Sequence, residues 1–178
     1  MPCKEWSGGA ESPYSNSNGL GVCNEAMPND YPVDTVYFYA QTDPFAEFSN
    51  FAPYGVEMRG LWWRTVEHYF QSEKFLDMAY RERIRQCSRP KDAKALGITR
   101  QVPIRGDWDA VKDQIMFEAV MKKFTTHQVL AEMLLSTDER KIVENAPMDA
   151  YWGCGPDGLG QNKLGNILVA VRQRLRSI

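Results

Sequence analysis

Residues 65–75, TVEHYFQSEKF, put a carboxyl (Glu67), an imidazole (His68), an amide (Gln71) and an amine (Lys74) among three aromatic rings. At about 100° per residue of helix, Glu67, Gln71 and Lys74 share one narrow stripe, with Glu67 and Lys74 roughly 10 Å apart along the axis. That gap is too wide for a direct ion pair but suits a grip on two ends of one ligand. A carboxylate near a helix start is favoured in its ionised form by the macrodipole, as a base or an electrostatic stabiliser requires. On this helix alone two readings stay open: an ordinary solvated stripe or a catalytic face. Phe70 and Met78 flank the stripe, and Glu73, Asp77 and Arg81 already supply a second, wet side. The apolar face is expected to hold Tyr69, Phe75, Leu76 and Tyr80, with His68 on its edge as a hydrogen-bonded structural histidine.

A second stretch with chemical content is DAYWGCGPDGLGQNKLG, where Gly153, Gly155 and Gly158 match GxGxxG. A dinucleotide-binding reading fails, because no buried strand leads into the glycines and too little chain follows for a βαβ unit. The physical content remains. Glycine lets a backbone approach a ligand closely, and the helix that follows offers N–H groups to an anion. Gln161 or Asn162 would cap that helix. Asp149 and Trp152 lie just upstream, so the segment reads either as a site for a phosphorylated, aromatic ligand or as a plain turn with a core tryptophan. RGDW at 105–108 adds Arg105 and Trp108 at another helix start, and Arg100 lies nearby; both arginines are candidates to meet a phosphate.

The elements that must position these groups can be traced along the chain. Residues 1–32 are rich in Gly, Ser, Asn and Pro and are expected to form a flexible tail, with a single domain over 33–178. TVYFYA reads as a buried strand and VEMRGLWW as a hairpin turning at Arg59-Gly60. Thr65 is a fitting N-cap for the 65–75 helix. DMAYRERIRQC and RPKDAKALGI read as helices, the second stopping at Gly97. A long helix capped by Asp107 follows, with Phe117, Val120, Met121 and Phe124 in helical period. THQVLAEMLLS is another helix, and the last carries Leu164, Ile167, Leu168, Val171 and Leu175 on one face. The fold class is therefore α+β: a compact, predominantly helical domain with a small β-sheet.

Bulk composition narrows the function. Twenty-one Lys and Arg against 23 Asp and Glu give a net charge of −2, which argues against a non-specific nucleic-acid binder. Cys3, Cys23, Cys87 and Cys154 form no CxxC pair and only His68 and His127 are present, so no zinc site is expected. No secretory signal is visible, and reduced thiols in a cytoplasmic protein are expected. No apolar run approaches the roughly 18 residues of a membrane span.

FYAQTDPFAEFSNFAP, WWRTVEHYFQSEKF, MKKFTTHQVLAEMLLST and DAYWGCGPDGLGQNKLGNILVAVRQRL together resemble the YbiA-like, or NADAR, family over roughly residues 36–176. The resemblance implies a compact, mostly helical α+β domain. It also implies an N-glycosidase acting on the bond between ribose phosphate and an unstable aminopyrimidine of early riboflavin synthesis. Another branch acts on ADP-ribose attached to guanine in nucleic acid. Carried over by motif, the catalytic candidates are Glu67 and Asp149, with Lys74 as a phosphate contact or a Schiff-base former. Trp108 would stack on the base, and Asn50, Phe51, Gln71 and Trp152 would line the pocket. Gly153, Gly160, Asn162, Arg100 and Arg105 would hold the phosphate. Where the family usually has proline, this chain has Arg64, which either loosens the helix start or adds a positive charge.

Hydrolysis of a ribosyl C–N bond builds positive charge at the anomeric carbon, so it needs a carboxylate and an oriented water. Glu67 is expected to activate that water or to stabilise the charge, and Asp149 to orient the ribose hydroxyls or to share the acid–base work. No cofactor or metal is required, and the expected partner is a small-molecule ribosylaminopyrimidine phosphate. An ADP-ribosyl-guanine hydrolase and a non-catalytic reader of ADP-ribose or a nucleotide remain as alternatives.

Overall fold

The computed structural model describes residues 34–178; the expected tail, with Cys3 and Cys23, lies outside them. Six helices and four short strands follow the order β1 (Thr35–Phe38), β2 (Val56–Met58), β3 (Leu61–Trp63), α1 (Val66–Ser72), α2 (Met78–Arg85), α3 (Pro90–Gly97), α4 (Trp108–Thr126), α5 (Gln128–Leu135), β4 (Lys141–Glu144) and α6 (Lys163–Leu175). The α+β class holds, with the strands divided between two sheets. β1 pairs in parallel with β4, which the sequence reading missed, and β2 pairs antiparallel with β3. The hairpin turns at Arg59 and Gly60, both at positive φ, as a tight two-residue turn requires. No helix of the described residues is long and apolar enough to cross a membrane.

α4 and α6 form the scaffold. Val120 and Phe124 of α4 are buried, as are Leu164, Leu168 and Val171 of α6, while Phe117, Met121, Ile167 and Leu175 pack at the edge. α6 packs on β4, and α1 contacts α2, α3, α4 and β3. That enclosure corrects the expected length and faces of the 65–75 helix. It stops at Ser72, and α2 begins afresh after Asp77, whose carboxylate accepts from the N–H groups of Ala79 and Tyr80. Leu76, placed on the apolar face by a continuous helix, is exposed in the break. Glu73 is no wet residue either: it is fully buried and paired with Arg81, with Arg59 at 3.5 Å.

The expected caps divide. Thr65 caps α1 in an extended conformation, its Oγ1 accepting from the His68 N–H. Arg64, exposed and outside the helix, leaves that cap intact. Asp107 holds the N-cap position of α4 but its carboxylate pairs with Arg105 at 2.6 Å instead. Asn162 precedes α6 with φ of 48° and makes no side-chain cap. α3 does end at Gly97, but the glycine has a steric reason: a Cβ there would lie 1.9 Å from Gln71 Oε1.

Candidate active site

Every residue of α1 is buried, so its polar groups are not a solvated stripe. Glu67 is 5% exposed and Gln71 4%. The helix turn sets them side by side, four residues apart, and Gln71 Nε2 donates to Glu67 Oε1 at 2.8 Å. The Glu67 N–H, an orphan of the first turn, donates to the Asn50 carbonyl, which fastens the SNF loop beside the acid. Burial pushes the Glu67 carboxyl above its ordinary range. The Gln71 hydrogen bond, Lys94 and Lys74 oppose that shift, and Asp149 adds to it. Asn50 Nδ2 meets only a thioether, Met116 Sδ at 3.2 Å. The amide oxygens of Asn50 and Gln71 are buried without a hydrogen-bond partner. Buried amides normally satisfy both ends, so this corner has polar capacity to spare.

His68 is structural. Its Nε2 lies 3.1 Å from the Cys87 carbonyl, which fixes the proton there, and its Nδ1 faces the Thr65 hydroxyl at 2.8 Å. Burial lowers its pKa.

A cavity of about 800 Å³ lies next to this corner, within the ordinary range for a small-molecule site; Ser49 and Phe51 line it on either side of Asn50, whereas Asn50, Gln71 and Glu67, expected on its wall, lie buried behind it. Because β1 and β4 run parallel, their C-terminal ends point the same way. The chain after β1 (Tyr39, Gln41) and the end of β4 with its loop (Glu144, Asp149) therefore wall one space, closed by Phe51, Tyr54 and Lys94. Asp149 is fixed by its own turn, with Oδ1 accepting from the N–H groups of Tyr151 and Trp152 at 3.0 and 2.8 Å. Glu144 is half-buried. Burial, Asp149 and Glu67 push its carboxyl up to about 7 against the pull of Lys94. The loop carrying Phe51 hangs on Lys123, a fully buried ammonium that donates to the carbonyls of Glu47 and Ser49. Burial pulls Lys123 down to about 7.

Lys74 and the tryptophans form a neighbouring cluster that does not line this cavity. The Arg105 N–H donates to the Lys74 carbonyl at 2.8 Å, bringing the start of α4 against the end of α1. Phe70 then sits between Trp108 and Trp152, at centroid distances of 5.0 and 5.3 Å. Lys74 Nζ donates to Gly97 O at 3.2 Å and lies 5.8 Å from the Trp108 ring. Burial lowers its pKa; Glu67 opposes this, and Lys94 and Lys112 reinforce it. A depressed ammonium suits an amine nucleophile.

The anion cradle expected of the glycine loop is closed. The N–H groups of Asn162, Lys163 and Leu164 donate to the carbonyls of Gly153, Tyr151 and Trp152, and those of Gly153 and Gly160 to Asp149 and Cys154. Gly153 and Gly160 are needed because a Cβ at either would fall within 3 Å of backbone, for Gly160 at 2.6 Å from the Gly153 carbonyl. The Asn162 side chain faces β4, donating to Ile142 O and accepting from the Glu144 N–H. Arg105 is engaged by Asp107, Arg100 is exposed, and neither lines the cavity. The cation that does is Lys94 of α3, 5.6 Å from the Phe51 ring. Sequence reading missed Lys94, Lys123 and Glu144. Only the last had a signal, as the final residue of a β-branched KIVE run just before the Asp149 loop. Among the described residues no His, Cys, Asp and Glu cluster has the arrangement of a metal site.

The NADAR domain family model matches residues 37–176. N-glycosidase YbiA of Escherichia coli is 45% identical over 143 residues, 80% of this chain and 89% of that protein. The NMR structure of E. coli YbiA superposes with a TM-score of 0.75 at 43% identity, covering 80% of this chain and 85% of that one. More distant is the chloroplastic riboflavin biosynthesis protein PYRR of Zea mays, 35% identical over 82% of this chain but only 26% of that protein. The match spans both the corner around Glu67 and the loops that wall the cavity: this chain belongs to the NADAR family.

Proposed function

We propose that this N-glycosyl hydrolase cleaves the bond between ribose 5-phosphate and an unstable aminopyrimidine of early riboflavin synthesis. The observation that carries the reading is Glu67, a buried carboxyl beside a cavity of single-nucleotide size, with Asp149 on the wall. As the C–N bond lengthens, positive charge grows on the anomeric carbon and ring oxygen. A carboxylate out of water stabilises that charge far more than a solvated one. Glu67, held by Gln71, takes a proton from the attacking water. Asp149, with one oxygen held by two backbone N–H groups, keeps the other to accept from a ribose hydroxyl. Phe51 and Tyr54 offer flat surfaces to the pyrimidine, and Lys94 is the cation placed to meet the phosphate. The substrate class finds support in the riboflavin biosynthesis name of the maize relative.

The test is release of ribose 5-phosphate from the ribosylaminopyrimidine phosphate, with Glu67→Gln as control. Release that the substitution abolishes is expected; no release by the wild-type protein sinks the substrate assignment. One observation favours a second target. The depressed Lys74 ammonium is suited to attack an opened ribose, as in removal of ADP-ribose from guanine. Incubation with ADP-ribosylated guanine in DNA is therefore the second arm, and turnover of that substrate alone would move the assignment there.

A further inference from the structure

Cleaving a ribosyl–nitrogen bond requires a proton for the departing nitrogen as well as a base for the water. The two expected acids already have other tasks. Glu67, held by Gln71, serves as the base for the water, and Asp149, fixed through Oδ1 by two backbone N–H groups, turns its other oxygen to the ribose. A third carboxyl shares the space. Glu144 is the last residue of β4 and lines the cavity next to Asp149 and Lys94.

Its backbone is clamped from both sides. The Glu144 N–H donates to Asn162 Oδ1 at 2.9 Å, and the Glu144 carbonyl accepts from the Cys154 N–H at 2.9 Å. Gly153 packs so closely that a Cβ there would lie 2.9 Å from the same carbonyl. The glycine turn and the residue before α6 thus converge on one position, the one that aims this carboxyl into the cavity.

We propose that Glu144 is the general acid that protonates the departing nitrogen, an assignment that rests on the N-glycosidase reading of this site. The groups facing Glu144 fit the task. Asp149 from the following loop and Glu67 from α1 are negative, and Lys94 from α3 is the opposing cation. β1 supplies apolar Phe38 as its register partner, and Asn162 at the start of α6 is neutral. Burial with two negative neighbours keeps the carboxyl protonated up to about pH 7, where an acid that must give and regain a proton each turnover works best. The step balances. The C–N bond breaks with its electron pair passing to nitrogen, which takes the Glu144 proton. The water oxygen bonds to the anomeric carbon and gives one proton to Glu67. Ribose 5-phosphate and the free amine leave, and exchange with solvent returns the proton from Glu67 to Glu144.

The test compares wild type, Glu144→Gln and Glu144→Asp by ribose 5-phosphate release across pH 5–9 (roughly centred on the ordinary operating range), with carboxyl-carbon NMR titration of labelled glutamates. The wild-type kcat/KM is expected to fall on a basic limb near pH 7, where Glu144 gives up its proton. Glu144→Gln should lower kcat by about 10²–10⁴-fold with little change in KM, and abolish that limb. Glu144→Asp should restore part of the rate, and one carboxyl titrating near neutrality should vanish from the Glu144→Gln spectrum. A Glu144→Gln enzyme that keeps both the rate and the basic limb overturns the proposal, as does a Glu144 resonance titrating with the ordinary carboxylates. No release by wild type would instead overturn the substrate assignment. The titration, which needs no turnover, would then decide whether Glu144 holds a proton to give.

Discussion

Helix α1 and the glycine-rich turn before α6 both crowd polar groups into a short span, and they dispose of them in opposite ways. In the turn, the N–H groups of Gly153, Cys154, Gly155, Gly158 and Gly160 through Leu164 donate to carbonyls of the same segment or its neighbours, and that of Leu159 to the Asp157 carboxylate. In and around α1, Glu67 carries a carboxyl pushed up by burial, and the amide oxygens of Gln71 and Asn50 are left over. Unsatisfied buried polar groups cost roughly 1–3 kcal/mol each, and such costs gather where a ligand completes the set. The turn is therefore the frame that aims Glu144 and Asp149, and α1 is where chemistry is held in reserve.

The sharpest way to break this contrast is to remove the charge from α1 without changing its shape. Glu67→Gln is expected to lower kcat/KM by about 10²–10⁴-fold, and to leave the unfolding midpoint at neutral pH unchanged or raised, because a buried carboxylate is costly to hold. A Glu67→Gln protein with near-normal turnover would return α1 to an ordinary buried helix.

The turn should respond in the reverse manner. Gly160→Ala puts a methyl group 2.6 Å from the Gly153 carbonyl, and overpacking against backbone costs typically 1–3 kcal/mol. Denaturant unfolding should show that loss, while the fraction still folded keeps its KM. A raised KM with undiminished stability would mean that the turn touches substrate after all.

The loop over the cavity can be probed through pH. Lys123 falls from 10.5 to about 7 on folding, so between those values the unfolded chain binds more protons than the folded one. Its contribution is fully present above 10.5 and is lost as pH falls through 7. Wild-type stability should rise relative to Lys123→Met between pH 7 and 10, by on the order of 1–3 kcal/mol. Parallel curves for the two proteins would show that Lys123 keeps its ordinary pKa in the folded chain and that burial does not disfavour its charged form.

How much of this was readable in one dimension varied with the range of the interaction. The Thr65 cap, the Arg59-Gly60 turn and the α6 stripe depend on neighbours a few residues away, and the sequence carries them openly. β4 does not. KIVE is short, begins with an exposed lysine, and gains its strand identity only from a parallel partner far earlier in the chain. With β4 went Glu144. α1 was drawn too long because the periodicity from Glu67 to Tyr80 continues across the break at Ser72, where packing on four elements overrides the pattern. Glu67 and Asp149 were legible as acids in distinctive segments, but their burial and mutual field required the fold. Gly97 looked like a stop signal, while its missing side chain makes room for the Gln71 amide.

The smallest expected effect tests where the phosphate lies. Arg100 and Arg105 were natural candidates as cations near a helix start. Yet Arg105 already pairs with Asp107 in a bidentate arrangement, at 2.6 and 2.8 Å, and Arg100 is exposed. Exposed ion pairs contribute about 0–1 kcal/mol, so Arg105→Gln and Arg100→Gln should each change KM by no more than about fivefold and leave kcat alone. Lys94→Gln, which removes the cation on the cavity wall, should raise KM more than either. It should also push Glu67 and Glu144 further up, since Lys94 opposes both shifts. The reverse order, with Arg105 dominant, would put the phosphate beside Trp108 and Lys74. The aromatic cluster at the start of α4 would then be the main binding surface, and the cavity at the ends of β1 and β4 would be left to the base.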